Sequence, residues 1–364
     1  MAVSDVSRLV QADLYSVSLP YLTPVEWTTG GVATHAHYVV ARIVDAAGNE
    51  GAAEVPCFAA WNGMSQAGLL QLFQDVAWPL LTSAAGKPLP RSVRDVGALS
   101  VLIDNLVDDL EYGCSAVEPH GDVGPAVLVI TRGSPQEMAQ AAADAVQRGF
   151  SAIKIKLGQG LEADAAAIRA IRDATGEEFP LCADANGAYA VDEVDALLGL
   201  ACRHNLFFVE DPCVFQPVKS QVSRMGRACL PIVADRFCDS VIAARQFIEL
   251  GFNKLAAKPT RVGISVARKT IELAQADGGG AVIGLFGESA AGALVQLRLA
   301  SMSPANSLLG IEGSAHEGLA DNFLGFAIGV GEGVYKRPLS LHLASAIDWG
   351  KLEALAHKVC SLRI

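Results

Sequence analysis

SAIKIKLG (151–158), PLCADANG (180–187), LFFVEDP (206–212), LPIVAD (230–235) and FNKLAAKP (252–259) are five apolar, strand-like runs, and each carries charged or polar residues at its end. Lys156, Asp184, Glu210, Asp235 and Lys258 follow one another at intervals of 28, 26, 25 and 23 residues. An interval of that size holds one strand and one crossover helix, so the five side chains occupy matching points of successive β/α units. In a closed parallel barrel such points form a ring at the C-terminal mouth, where the catalytic groups of barrel enzymes gather. The spacing therefore predicts three carboxylates and flanking lysines in one cavity.

The alternation continues on both sides of this ring. AVLVI (126–130) supplies a first strand, and SPQEMAQAAADAVQRG (134–149) follows as a helix that opens with Ser and closes with Gly. Further helices are expected over 161–174, 191–204, 217–226, 239–250, 263–276 and 288–301, with strands seven and eight at AVIGLF (281–286) and SLLGIE (307–312). Eight strands in this order predict an α/β chain with a (β/α)8-type, modified TIM barrel. Ahead of it, residues 9–55 alternate as antiparallel strands with a turn at AAGNEG (46–51), while GLLQLFQDVAWPLL (68–81) and VGALSVLIDNLVDDL (96–110) have helical periodicity. Together these predict an N-terminal α+β capping domain. YGCSAVEPHGDVG (112–124), rich in Gly and Pro, reads as the crossing. The expected boundaries are 1–120 for the cap, completed by about 331–364, and 121–330 for the barrel.

Composition excludes several function classes. The 364 residues are 51% hydrophobic with a net charge of −11, and no cluster of Lys and Arg is present, which argues against a nucleic-acid partner. Eight cysteines show no CxxC spacing, so reduced thiols are expected. The chain opens without a charged n-region leading into an apolar h-region, and no stretch of about 20 residues is free of charges and breakers, so a cytoplasmic protein without a membrane partner is expected. His35 and His37 alternate on a cap strand as a surface pair. No Gly-x-Ser-x-Gly elbow points to a serine hydrolase.

The ring implies a chemistry. Lys154 and Lys156 lie two apart on one strand and project together, as do Asp184 and Asn186. Inward lysines in a barrel otherwise filled with branched apolar residues need carboxylate neighbours or a task. Asp184, Glu210 and Asp235 offer oxygen ligands without His or Cys, a donor set suited to Mg2+ or Mn2+. Such an ion would hold a substrate carboxylate and stabilise the enediolate formed when the neighbouring carbon loses its proton. A lysine must be neutral to take that proton, and nearby cations favour the neutral form. Lys156 is the candidate base with Lys154 beside it. Lys258, four strands away, faces the other side of the substrate, where it returns a proton or steadies the charge.

KIK (154–156), DAN (184–186), ED (210–211) before Pro212, AD (234–235), KPTRVGI (258–264) and GES (287–289) together make the chain resemble the enolase superfamily, in its muconate-lactonising subgroup within the mandelate racemase/muconate lactonising enzyme family. The resemblance covers about residues 125–300. It implies metal ligands Asp184, Glu210 and Asp235, a base at Lys156 with its partner Lys154, and a second acid/base at Lys258. It also implies substrate contacts from Asn186 and Glu288 on the barrel, and from two cap loops, Tyr21 to Gly31 with Trp27 and Thr28, and Cys57 to Gly63 with Trp61. The mandelate-racemase subgroup uses a His on strand seven, and AVIGLFGES offers none. Where members usually carry Glu after the third ligand this chain has Arg236, a reversal of charge expected beside the ion.

The expectation is a metal-dependent isomerase, a racemase, epimerase or muconate-type cycloisomerase, acting on a small carboxylate. Homo-oligomerisation is expected because barrels of this kind often associate. The same residues are compatible with a syn-dehydratase or an o-succinylbenzoate-synthase-like lyase, with a metal-dependent barrel aldolase, or with a catalytically silent barrel that serves as a binding protein, for which Arg236 is the main support.

Overall fold

The near-continuous apolar run in the second strand reflects a sheet buried on both faces. β1 (Leu9–Glu26), β2 (Val32–Asp45) and β3 (Glu50–Pro56) form an antiparallel meander in the computed structural model, which describes residues 8–26, 31–83, 97–115, 121–218 and 229–364. β14 (Ala356–Arg363), from the far end of the chain, pairs with the free edge of β1 and gives the order β14-β1-β2-β3. Successive side chains point to opposite faces. Tyr38 and Val40 accordingly join the core shared with the barrel, whereas Val39, Ala41 and Ile43 join a second core under the cap helices.

Those helices are α1 (Ala59–Asn62), α2 (Gln66–Leu72), α3 (Trp78–Ser83) and α4 (Gly97–Ser115). A wide π turn over Phe73–Ala77 joins α2 to α3, and the Trp78 N–H reaches back to the Phe73 carbonyl. Pro79, which has no N–H for the α ladder, follows at once. α4 runs past the expected end at residue 110. Gly113 allows this, because a Cβ there would lie 2.5 Å from His342 Nε2.

In the barrel, β4 (Val127–Ile130), β5 (Ala152–Lys156), β6 (Leu181–Asp184), β7 (Val209–Glu210) and β8 (Ile232–Val233) pair in order, and so do β9 (Lys254–Ala257), β10 (Gly280–Ile283) and β11 (Leu308–Ile311). Two parallel bridges close the ring: Ala234 with Leu255 joins β8 to β9, and Ala126 with Ile311 joins β11 back to β4. The Ala256 N–H to Ala234 carbonyl and Ile311 N–H to Pro125 carbonyl bonds, both 2.9 Å, lie at these seams. Outside run α5 (Pro135–Gln147), α6 (Leu161–Thr175), α7 (Val194–Arg203), α8 (Val241–Glu249), α9 (Pro259–Val262), α10 (Ile264–Ala276) and α11 (Ala290–Ser301). A capping box between Ser134 and Glu137, with Pro135 in the first turn, starts α5. The helix expected at 217–226 lies outside the described residues, apart from its first two positions.

The hairpin of β12 (Val330–Gly331) and β13 (Val334–Tyr335) precedes α12 (Leu343–Ala346) and α13 (Trp349–Leu355), which lead into β14. Cap and barrel also meet through α4. Asp104 accepts from Ser265 N–H at 2.9 Å, and Asn105 accepts from Ile264 N–H at 2.9 Å, so cap side chains cap the first turn of α10.

The expectation of reduced thiols fails at one pair. Cys202, near the end of α7, and Cys229 are joined in a disulfide with their Cα atoms 6.5 Å apart, within the span such a bond allows. Nothing in their spacing of 27 residues flags the pair. It is the fold that brings the end of α7 beside the approach to β8. Among the described residues no helix is long and apolar enough to cross a membrane.

Candidate active site

The barrel interior is layered. Cys182, Phe208, Val233, Ala256 and Val282, with Leu309 against them, form a small apolar cluster contributed by six of the strands or their approaches. Two residues beyond the first five of these, on the same inward face, stand Asp184, Glu210, Asp235, Lys258 and Gly284. Lys156 is in register with Asp184, and Asp184 with Glu210. Lys154 is in register with Cys182, one layer deeper. The periodicity that fills the barrel with apolar side chains thus delivers the charged ring directly above them.

The ring is tied together by ion pairs. Lys156 Nζ lies 2.6 Å from Asp184 Oδ2, and Lys258 Nζ lies 2.6 Å from Asp235 Oδ2. Lys154 Nζ lies 3.0 Å from Glu210 Oε2 and 3.8 Å from Asp184 Oδ2, and it also pairs with Glu312. Side-chain exposure separates the lysines: 1% for Lys154, 7% for Lys258 and 18% for Lys156. Arg261 grips Asp235 through Nη1 to Oδ1 at 2.8 Å and through Nη2 to the backbone carbonyl at 3.0 Å. Asn186, held at φ 49°, donates to Asp184 from its backbone N–H and its amide.

Electrostatics follow from burial and pairing. Burial works to raise Asp184, yet Lys156, Lys154 and Lys258 outweigh it and hold the carboxyl at about 2. Asp235 is likewise held below the usual range, since Arg261 and Lys258 overcome its burial. Glu210 moves the other way: burial, with Asp184 and Asp235 nearby, raises it well above the ordinary range despite Lys154. Burial also opposes the charge of Lys154, but Glu210, Glu312 and Asp184 more than compensate, so it remains a fixed cation. Lys258 is raised too, by Asp235 and Glu210 against its burial.

A second pair of acids lies where the cap meets β10 and α11. Glu288 accepts from Phe286 N–H at 2.6 Å and from Thr260 Oγ1 at 3.2 Å. Glu54, on β3, accepts from the Ser289 N–H at 2.9 Å and from the Ser289 hydroxyl. Burial pushes both carboxyls up to about 7. A carboxyl raised in the folded state contributes stability that is complete below its unfolded value, near 4.5, and is lost as pH rises through 7. Glu54→Gln is therefore expected to flatten the pH dependence of stability between those limits, gaining on the wild type by on the order of 3 kcal/mol toward pH 8. Urea unfolding at pH 5 and pH 8 measures this.

The structure brings Lys154, Lys156, Lys258, Asp184, Glu210, Asp235 and Asn186 into one network of ion pairs and hydrogen bonds at the strand ends, and Glu288 accepts from Thr260 nearby. Trp61 sits in the second cap loop, 37% exposed. Trp27 and Thr28 lie outside the described residues. Arg236 departs from expectation: its side chain is exposed, and its N–H donates to Asp211 at 2.8 Å. The guanidinium at Asp235 is that of Arg261 instead, beside the Lys258 ammonium.

Three participants carried no assignment from sequence. Glu312, buried at the end of β11, accepts from Leu285 N–H at 3.0 Å and pairs with Lys154. The unit spacing, continued 26 residues from Lys258 to Gly284 and 28 more, would have found it. Asp211, at φ 40°, accepts the N–H groups of Asp235 and Arg236 and so fixes the turn after β8. Arg261 belongs to a short helix that no strand spacing reveals.

Among the described residues no three acidic, imidazole or thiol groups converge into a ready-made cation cage, because ammonium groups stand between the carboxylates. The donors nevertheless fit a hard divalent ion. All three are oxygen ligands, Glu210 Oε1 is buried without a hydrogen bond, and Glu210 is the acid least compensated by neighbouring cations.

Comparison with known proteins agrees with this architecture. The family described as enolase C-terminal domain-like matches residues 137–340. The D-Ala-D/L-Ala epimerase of Cytophaga hutchinsonii is 27% identical over 297 residues, covering 73% of this chain and 76% of that protein. A muconate lactonizing enzyme from Mucobacterium Smegmatis, solved with muconolactone, shares the fold with a TM-score of 0.84 at 20% identity, covering 96% of this chain and 100% of that one. A dipeptide epimerase from Cytophaga hutchinsonii, solved with Mg and D-Ala-L-Val, does so with a TM-score of 0.80 at 22% identity, covering 98% and 100%. With a family match over more than half its length, the chain belongs to the enolase C-terminal domain-like family.

Proposed function

We propose that the enzyme removes and returns the proton on the carbon next to a carboxylate, as a racemase or epimerase, with Lys156 and Lys258 as its two acid/base groups. One observation carries this reading. β5 and β9 are the second and sixth strands of an eight-strand ring, so their lysines enter the cavity from opposite walls, each 2.6 Å from a different carboxylate. The lysine on one wall takes the proton from one face of the α-carbon, and the lysine on the other wall delivers a proton to the opposite face. The product is the mirror configuration, and no further residue is needed.

Asp184, Glu210 and Asp235 would hold Mg2+ or Mn2+. When bound, the ion supplies positive charge against the substrate carboxylate as the α-carbon loses its proton. Lys154, 1% exposed and bonded to Glu210 and Glu312, is out of reach of a substrate and serves as a fixed charge that orients Glu210. Arg261 and Asp211 set the side chain and the backbone of Asp235. Relatives with a dipeptide or muconolactone bound support a small carboxylate as the substrate class.

Incubation with Mg2+ in deuterated water and single enantiomers of N-acyl amino acids and dipeptides tests the proposal. Deuterium at the α-carbon together with the opposite configuration is the expected result, and chelation by EDTA should reduce both by about 100-fold or more, restored by added Mg2+. Exchange with complete retention would refute the two-lysine racemase, and loss of water without exchange would favour the lyase.

A further inference from the structure

The end of β5, which carries Lys156, is held by a carboxylate outside the charged ring. Asp164, in the first turn of α6, is fully buried. It accepts from Gly158 N–H at 2.6 Å and from Gln159 N–H at 3.2 Å, the second and third residues after Lys156. Tyr189, from the segment that follows Asp184 and Asn186, donates its hydroxyl to the same oxygen as Gly158. Leu157, in between, is bonded through both its polar groups: its N–H donates to the Asp184 carbonyl at 2.9 Å, and its carbonyl accepts from Arg132 Nε at 2.7 Å. Gly158, at φ 106°, makes room for this, since a Cβ there would lie 2.6 Å from Ala188 Cβ. One carboxylate thus joins the exits of β5 and β6, the two strands whose ends hold Lys156 and Asp184 2.6 Å apart.

The groups around it depend on it unequally. β7 secures the exit of β6 from the other side, where Ala185 N–H donates to the Glu210 carbonyl at 3.0 Å and Gly187 N–H to the Asp211 carbonyl at 2.7 Å. Lys258 is fixed separately by α9, whose Arg261 and Val262 N–H groups donate to its carbonyl at 2.9 and 3.0 Å. Beyond Lys156, by contrast, two successive N–H groups rely on Asp164.

Resting on the two-lysine reading above, we infer that Asp164, with Tyr189, is a positioning residue for Lys156: it fixes the backbone beyond β5 and so holds the ammonium where it exchanges a proton with one face of the α-carbon. A carboxylate can accept all three hydrogens, whereas an Asn amide offers a single acceptor oxygen and sets its NH2 against one of the donors. The effect is one-sided. Arg132, Asp164 and Tyr189 belong to the first three units of the barrel, and Lys258 belongs to the sixth.

Deuterium uptake at the α-carbon, in deuterated water with Mg2+, tests this when followed separately for the L and D enantiomers of N-acetyl amino acids and alanyl dipeptides. Lys156→Ala marks the enantiomer whose proton Lys156 removes. Asp164→Asn is expected to slow uptake into that enantiomer by about 10–100-fold, the cost of misplacing a reacting group by about 1 Å, and to leave the other within about threefold of the wild type. Tyr189→Phe keeps the ring and both N–H bonds, and should slow the same enantiomer by about three- to tenfold, the worth of one hydrogen bond. A merely structural role would slow both enantiomers alike. Equal losses on the two in Tyr189→Phe, or no loss on either in Asp164→Asn, would overturn the inference. Failure of the two-lysine reading is told apart by Lys156→Ala itself, which would then stop both enantiomers, and the inference would fall with it.

Discussion

Lys156→Ala and Lys258→Ala are each expected to reduce racemisation by roughly 10²–10⁴-fold, the usual contribution of a positioned acid or base, and to do so with opposite stereochemical signatures. In each variant the surviving lysine can still remove and return a proton on its own face. One enantiomer should therefore continue to exchange deuterium with retention while the other becomes inert, and the two variants should spare opposite enantiomers. Chiral chromatography coupled to mass spectrometry reads both quantities at once. Mg2+ binding is the control. Asp184 keeps Lys154 at 3.8 Å when Lys156 is removed, and Asp235 keeps Arg261 at 2.8 Å when Lys258 is removed, so neither carboxylate is left without a counter-charge. If both enantiomers lose exchange together in one variant, that lysine supports the site without acting on one face, and the two-wall mechanism falls.

The second large effect concerns stability. Asp109, on α4, is fully buried and accepts from Ala52 N–H at 2.8 Å, Leu343 N–H at 2.7 Å and Ala344 N–H at 3.0 Å. It also pairs with Arg298 of α11. Arg298 is equally buried, lies 3.0 Å from Asp108 and donates to the Leu341 carbonyl at 3.2 Å. One carboxylate thus fastens the cap sheet, the cap helix, a barrel helix and the returning tail. Asp109→Ala leaves a buried guanidinium short of its partner and three N–H groups unbonded, and is expected to cost roughly 3–5 kcal/mol. The transition midpoint should fall by roughly 4–7 °C. Adding Arg298→Met should recover part of the loss, because an isolated buried charge costs more than an apolar pair. Thermal unfolding of the two single variants and the double variant gives the coupling, and additive effects would show that the pair does not act as a unit.

Much of the fold and the candidate site was legible because the barrel repeats. A β/α unit consumes a nearly constant length of chain, and a strand repeats its facing every two residues. Lys156, Asp184, Glu210, Asp235 and Lys258 therefore announced both the ring and its occupants. The series breaks after Lys258 because the next unit offers Gly284, which has no side chain and marks its place only by letting the Lys258 chain pass. Glu312, one unit beyond, was masked by that gap. Arg236 was misjudged for a related reason. Adjacency to Asp235 in the chain placed its charge beside the site, whereas neighbouring residues at a strand end point apart, and the guanidinium that reaches Asp235 comes from Arg261 on the next unit.

The sequence by itself determined the barrel, its cap and the charged ring, because these depend on periodicity, which is local and repeats along the chain. Only the tertiary structure decided which cation meets which acid, that Lys154 is buried between Glu210 and Glu312, that Cys202 bonds Cys229, and that Phe58 of the cap stands against Phe286 of the barrel. Each of those is a contact between residues far apart in the chain, set by how packed layers close on one another, and one sequence carries no periodic signal for it.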